Sequence, residues 1–287
     1  MRVFVTGASG FVGSAIVKEL LQAGHQVLGL VRSDSTAVEL AKTGAEVHRG
    51  DITDHESVKA GAAQCDAIIH TAFNHDFSRF KESSLEDHQL ILALGATHRP
   101  LIVTSAIGLL NYGRPVDESD TPPPSDKVAR AATEEAAAKV GAYIVRLPPT
   151  THGAGDHGFV PIVINLAKAK GESAYIGEGN NTWAAVHRFD AAVLYRLILE
   201  KLPSQKVFHA VDEVGVPFKE IATAIGKGLN IPVVSKTGAA AEEHFGWFMH
   251  FAGMGVVPSA EQTKKILGWE PKERGILEDI VKGGYLK

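Results

Sequence analysis

The stretch Val3-Phe4-Val5-Thr6-Gly7-Ala8-Ser9-Gly10-Phe11-Val12-Gly13 leaves this chain few architectures to choose from. Val3 to Val5 are β-branched or aromatic and uncharged, which suits a strand buried on both faces, and Ile16, Val17, Leu20 and Leu21 then bring in helical spacing. Between strand and helix stand Gly7, Gly10 and Gly13. A bound dinucleotide would give each glycine its own task. The first permits a tight turn, the second lets the backbone approach a pyrophosphate, and the third lets helix and strand pack closely. Ser9, Phe11 and Val12 would then surround the phosphates at the helix N-terminus, where unpaired N–H groups favour anions. A second strand, His25 to Val31, closes a βαβ unit, so a ligand-free glycine turn is the weaker reading.

Length and composition narrow the setting. A chain of 287 residues can bury the core of one large domain with a smaller lobe. Net charge −4 gives no reason to expect nucleic acid or an anionic membrane as partner. No apolar run reaches the length of a membrane span. Because the first strand begins at once, no room is expected for a signal peptide, and the single Cys65 cannot form an internal disulfide. Both point to a cytoplasmic protein, and no metal site is expected.

The end of the second strand bears on the cofactor. An acidic residue there would hold ribose hydroxyls and repel a 2′-phosphate, but the chain reads Val31-Arg32-Ser33. Arg32 can stack on adenine and pair with that phosphate, and Ser33 can donate to it, which favours NADP(H) with NAD(H) as the alternative. A merely solvated arginine is the competing reading. Further on, Gly50-Asp51-Ile52-Thr53-Asp54 ends a short third strand. Asp51 could accept from the adenine amino group while Ile52 covers a ring face, and Asp54 reads as a helix N-cap. Thr71-Ala72-Phe73, after a fourth buried strand, should run along the ribose and pyrophosphate, and His75 beyond them is a candidate for substrate contact or gating. The fifth strand, Leu101 to Ala106, ends in Thr104 and Ser105. Ser105 is expected to bond a carbonyl at C4 of a nicotinamide, or else its own backbone. A helix is expected from about Asp126 to Lys139 and a sixth strand from Tyr143 to Leu147.

Together these residues resemble the extended branch of the short-chain dehydrogenase/reductase superfamily, the NAD-dependent epimerase/dehydratase family, over nearly the whole chain. Thr6 to Gly13 match its fingerprint, and Gly50 to Asp54, Ile69-His70-Thr71-Ala72, Val103-Thr104-Ser105 and Val145-Arg146-Leu147-Pro148-Pro149 match later landmarks. Val186-His187-Arg188-Phe189-Asp190 and Leu267-Gly268-Trp269-Glu270-Pro271 extend the likeness. The resemblance implies a Rossmann-type doubly wound parallel sheet in an α/β protein, with Leu147 and Pro148 at the nicotinamide end. Residues 1–150 and about 183–212 would bind the nucleotide, and about 151–182 with 213–287 would form a substrate lobe.

One family signature is missing from its expected place. Members that do redox chemistry carry Tyr-x-x-x-Lys at the helix before the sixth strand; here the same stretch puts Asp126 and Arg130 at those positions. Arg130 could still bond the nicotinamide ribose, but it cannot give up a proton at neutral pH. His152 and His157, in the loop after the sixth strand, are the expected substitutes for the acid. His152 also stands where the family has a tyrosine with a structural role. The aromatic run from His244 to Met254 reads as a lid over an apolar substrate, a homodimer face or plain core. The expectation is an NADP-dependent oxidoreductase acting on a small or hydrophobic carbonyl or enone. A nucleotide-sugar epimerase or dehydratase and a non-catalytic NADP(H) sensor are the alternatives.

Overall fold

The computed structural model describes residues 1–286, with the side chain of Phe77 outside the description. The strands are β1 (Arg2–Thr6), β2 (Gln26–Val31), β3 (Glu46–Arg49), β4 (Ala67–His70), β5 (Leu101–Ala106), β6 (Tyr143–Leu147), β7 (Thr150–His152), β8 (Ser173–Ile176), β9 (Thr182–His187), β10 (Val207–His209), β11 (Glu213–Pro217) and β12 (Val233–Lys236). Seven of them form one parallel sheet in the order β3-β2-β1-β4-β5-β6-β10. Strand order reverses between β1 and β4. That reversal opens a crevice over the strands' carboxyl ends, the usual ligand position in such sheets.

The sheet is covered on both faces, as its unbroken apolar strands require. On β1, Val3 and Val5 face helices Phe11–Gln22 and Arg188–Lys201, whereas Phe4 faces helices His55–Ala63, Phe80–Gly95 and Ala132–Val140. The same period-two split separates Ile102 from Leu101 and Val103 on β5. Side-chain direction at the strand ends therefore follows from register, and it decides what can reach the crevice.

The second lobe holds a three-stranded sheet, β11-β9-β7, and the parallel pair β12-β8. The strand, turn and strand expected between Ala174 and Trp183 form as β8 and β9, with Gly177 and Gly179 at φ of 56° and 67° between them, yet the two strands do not pair with each other. Each instead finds a partner far along the chain. The lobe's core gathers Trp183, Phe218, Phe245 and Phe248, together with Val160, Val163 and Ile164 of helix Phe159–Lys170. Most of the aromatic run is thus core, although Trp247 is 61% exposed. The helix expected from Asp126 starts only at Ala132, after a turn over Ala129–Ala131, because Arg130 is drawn into the polar network described below. Among the described residues, no helix is long and apolar enough to cross a membrane.

Candidate functional site

The turn after β1 is built so that only glycine fits at two places. Gly7 has φ +68°, and a Cβ there would lie 2.7 Å from Thr71 Oγ1 and 2.8 Å from the Ala72 nitrogen. At Gly13 a Cβ would lie 2.0 Å from the Gly7 carbonyl oxygen. The chain is therefore packed tight below the crevice and bare above it. Gly10 caps helix Phe11–Gln22 without any side-chain bond, and the first turn carries no acidic residue. Free N–H groups and the positive end of the helix face the crevice, a fit for the phosphates of a dinucleotide. Thr71 Oγ1 donates to the Thr6 carbonyl at 2.8 Å and Ala72 N–H to Thr6 Oγ1 at 3.4 Å, which lays Thr71-Ala72-Phe73 along the same edge.

At the end of β2, Arg32 is 79% exposed, with Nη1 3.8 Å from Asp51 Oδ2. Asp51 accepts from the Thr53 N–H at 2.9 Å and the Thr53 hydroxyl at 2.8 Å. The Thr53 N–H is the main reason its carboxyl sits below the ordinary value. Ser33 is the N-cap of helix Asp34–Lys42, its Oγ accepting from Thr36 N–H at 3.2 Å. Its hydroxyl is thus engaged locally, although Ser33 is exposed like Arg32 beside it. Asp54 caps helix His55–Ala63 through the Ser57 N–H at 3.1 Å, the role expected of it. Ile52 and Thr53 face Phe73 and Asn74 across a cavity of about 360 Å³ whose floor includes Ser83 and Leu90.

Beneath the middle of the crevice runs a chain of polar contacts. Thr6 Oγ1 lies 2.6 Å from His70 Nδ1, and His70 Nε2 lies 2.9 Å from Asp87 Oδ1. Asp87 Oδ2 receives Arg130 Nη1 at 2.6 Å and the Thr133 hydroxyl, while Arg130 Nη2 donates to the Thr104 carbonyl at 3.1 Å. Burial pushes the Asp87 carboxyl up, but Arg130 and the donors His70 and Thr133 outweigh it and hold it well below the usual carboxylate range. The Phe73 ring covers the guanidinium at 3.8 Å. Thr104 Oγ1 bonds the Tyr195 hydroxyl at 2.7 Å, and burial pushes that phenol far up.

On the opposite face of β5 the Ser105 hydroxyl donates to Glu134 Oε1 at 2.7 Å, and Glu134 is held by Arg146 at 2.8 and 2.7 Å. On the lobe side, His152 Nδ1 lies 2.9 Å from Asp279 Oδ2, and its ring meets that of His187 at 5.3 Å. His157 is exposed, with its ring edge-on to Phe11 at 5.9 Å. His75, also solvent-exposed, has its ring on Phe73 at 5.2 Å. The crowded surroundings, and then the Arg130 charge, pull His75 below its ordinary value.

The model of the NAD dependent epimerase/dehydratase family matches residues 3–93, which hold the glycine turn, the ends of β2 and β3, and most of helix Phe80–Gly95. The "uncharacterized protein C2A9.02" of Schizosaccharomyces pombe is 47% identical over 99% of this chain and 100% of its own. The chain belongs to the NAD-dependent epimerase/dehydratase family. A 4-hydroxy-2-methyl-3-oxo-4-farnesyl-3,4-dihydroquinoline-1-oxide ketoreductase of Stigmatella aurantiaca is 26% identical over 78% of this chain and 72% of its own. A UDP-glucose-4-epimerase structure from Stenotrophomonas maltophila with bound NAD superposes with a TM-score of 0.77 at 18% identity, covering 99% of this chain and 97% of that one. That superposition speaks for the fold. The expectation of a nicotinamide-dependent oxidoreductase agrees with these relatives.

The residues expected at the cofactor lie at or just after the carboxyl ends of β1, β2, β3, β4, β5 and β6, whereas two expected catalytic groups are buried and already bonded. Ser105 is 3% exposed, because β-strand alternation sends Thr104 to Tyr195 on one face of the sheet and Ser105 to Glu134 on the other. It cannot polarise a substrate carbonyl. His152 is 1% exposed and locked between β9 and helix Ile276–Lys282, so it cannot serve as the acid either. Leu147 is half-buried and Pro148 buried at the end of β6. Asp87, His70 and Tyr195 were not anticipated in the site. A signal existed for Asp87, since Ser83, Asp87, Leu90 and Leu94 share one buried stripe of helix Phe80–Gly95, and a carboxylate there demands a partner.

Proposed function

We propose that this chain moves hydride between NADP(H) and the carbonyl, or activated alkene, of a small or hydrophobic molecule. The observation that carries the reading is a bare helix N-terminus at Gly10 next to a cationic β2 end at Arg32. N–H groups around Ser9, Gly10, Phe11 and Val12 would take the pyrophosphate and Arg32 the 2′-phosphate, with Asp51 and Ile52 at the adenine. Thr71, Ala72 and Phe73 would follow the ribose. Thr104, Leu147, Pro148 and the Arg130 protons not used by Asp87, Thr133 and Thr104 would border the nicotinamide. When bound, the nicotinamide supplies or accepts the hydride.

The chain must then bring one proton to the oxygen that the hydride leaves charged. His157, in solvent beside Phe11, is the donor proposed, with His75 across from it and water as its relay. Residues of about 151–182 and 213–287 form the substrate side. Relatives named as a ketoreductase of a farnesyl-bearing dihydroquinoline oxide and a sterol-4-alpha-carboxylate 3-dehydrogenase support an apolar carbonyl compound. The test is calorimetric titration with NADP and NAD, followed by NADPH consumption against aldehydes, ketones and enones. NADP binding and turnover that falls more than about tenfold in His157→Ala are expected. Turnover of a nucleotide sugar without net NADPH consumption would overturn the reading.

A further inference from the structure

Among the described residues, Arg188 is the one arginine at the crevice that no acidic partner explains. It opens helix Arg188–Lys201, where that helix packs on helix Phe11–Gln22. Nη1 makes a long bond, 3.4 Å, to the Phe11 carbonyl, and the guanidinium lies 4.9 Å from the ring centroids of both Phe11 and Phe189. Nε is buried with no hydrogen-bond partner, and among the described residues the side chain forms no ion pair. Asp156 is the carboxylate that weighs on it. Its oxygens, however, already take the Gly158 N–H at 2.7 Å and the Tyr285 hydroxyl at 2.8 Å, and among the described residues it makes no ion pair with Arg188.

The surrounding loop is shaped to the arginine stem. Gly153 has φ +136°, and a Cβ there would lie 3.2 Å from Arg188 Cγ. A cation drawn from water without a counter-ion is costly, and the cost disappears when a ligand brings the missing charge. The carbonyl it touches belongs to the first turn of helix Phe11–Gln22, whose N–H groups have no side-chain cap. Backbone N–H groups carry only partial charge, whereas a pyrophosphate carries two full ones. A guanidinium matches phosphate oxygens in both charge and geometry.

We propose that Arg188 clamps the pyrophosphate of the bound dinucleotide from the lobe side, an inference that rests on the nucleotide reading given above. The full chain carrying Arg188→Met is titrated with NADP, NAD and adenosine 2′-monophosphate, and its thermal unfolding is followed with and without NADP. NADP and NAD should weaken by the same factor, about 10- to 100-fold, and the monophosphate, which lacks the pyrophosphate, should bind as before. The nucleotide-free variant should unfold no lower than the parent, since an unpaired charge has been removed, while the rise in midpoint given by NADP shrinks. Unchanged dinucleotide affinity, or a lower midpoint with the NADP-induced rise intact, would make Arg188 structural and overturn the clamp. Arg188→Lys keeps stem and charge in case the methionine variant does not fold. It should weaken both dinucleotides equally and less, and an unequal loss would assign the residue to the adenosine end instead. A parent chain that binds no dinucleotide would sink the nucleotide reading itself.

Discussion

Arg130 and Arg188 both border the crevice, yet their surroundings differ in kind. Arg130 is bonded to Asp87, Thr133 and the Thr104 carbonyl, and Asp87 is bonded in turn to His70. Arg188 has one long bond to a carbonyl and a buried Nε with none. A saturated buried cation holds a fold in register, because its partner would be left charged and alone without it. An unsaturated one leaves a cost in the ligand-free chain that only an incoming anion removes. Ser105 and His152 fall with Arg130 on the saturated side of that divide, and His157 and Arg32 with Arg188 on the open side.

The sharpest way to break the comparison is Arg130→Met. It strands the Asp87 carboxylate, 4% exposed, and should cost about 3–5 kcal/mol, or roughly 10 °C in the unfolding midpoint. The same substitution at Arg188 should cost nothing in the nucleotide-free protein. A loss below about 1 kcal/mol at Arg130, read by urea unfolding, would erase the distinction. Asp87 adds a pH signature. Its folded pKa is depressed, so the stability it contributes is complete above the unfolded value of about 3.9 and is lost as pH falls through the folded one. Acid unfolding of Asp87→Asn, compared with the parent, should show a shallower loss of stability below about pH 4.

Ser105→Ala comes next in size. It removes a buried donor from Glu134, which keeps both bonds to Arg146, so the expected cost is about 1–2 kcal/mol of stability. Nucleotide affinity should stay within about twofold and turnover within about threefold, because the hydroxyl is buried and bonded to Glu134. A hundredfold fall in turnover with unchanged stability would return Ser105 to the chemistry.

What the sequence made legible follows the same line. The glycine turn, the individual strands and the cationic end of β2 are each written in a short run of adjacent residues, and each is found where expected. The direction of Ser105 was not local. It depended on Glu134 and Arg146, whose charges inside Thr133-Glu134-Glu135 and Val145-Arg146-Leu147 signalled buried partners without naming them. His152 misled for a related reason. Its loop follows the right strand, but pairing of β7 with β9 and the arrival of Asp279 from 127 residues away seal it off. The contacts of β8 with β12, and of β9 with β7 and β11, lie equally far beyond any local signal.

Arg32→Ala sharpens the open side of the comparison. With 79% exposure its ion pair to a 2′-phosphate is screened by water and salt, so the expected loss is modest, about three- to tenfold for NADP and under twofold for NAD. Titration at two salt concentrations checks it, since the NADP preference should narrow as salt rises. Arg188→Met, by contrast, should weaken both nucleotides alike. Equal losses at Arg32 would mean that this arginine touches only what the two cofactors share.

Asp126→Asn is expected to do least, and its smallness is informative. The residue stands where the family carries its tyrosine, so if position alone decided the chemistry, its loss would abolish turnover. Donating a proton at neutral pH, however, takes a carboxyl removed from water or pressed by a second negative charge. Asp126 is exposed in the turn ahead of Ala129–Ala131, with Lys127 beside it in sequence. Exposed surface substitutions of this kind stay within about 0.5 kcal/mol in stability. NADPH-dependent turnover should therefore remain within about threefold of the parent, against the more than tenfold loss expected for His157→Ala. The pH dependence of turnover separates the two most cleanly. A histidine acid makes the rate fall as pH rises and its proton is lost, and Asp126→Asn should leave that limb in place while His157→Ala removes it. If the limb vanished with Asp126 and survived without His157, the proton would enter from the tyrosine's side of the site, and the lobe-side donor would be wrong.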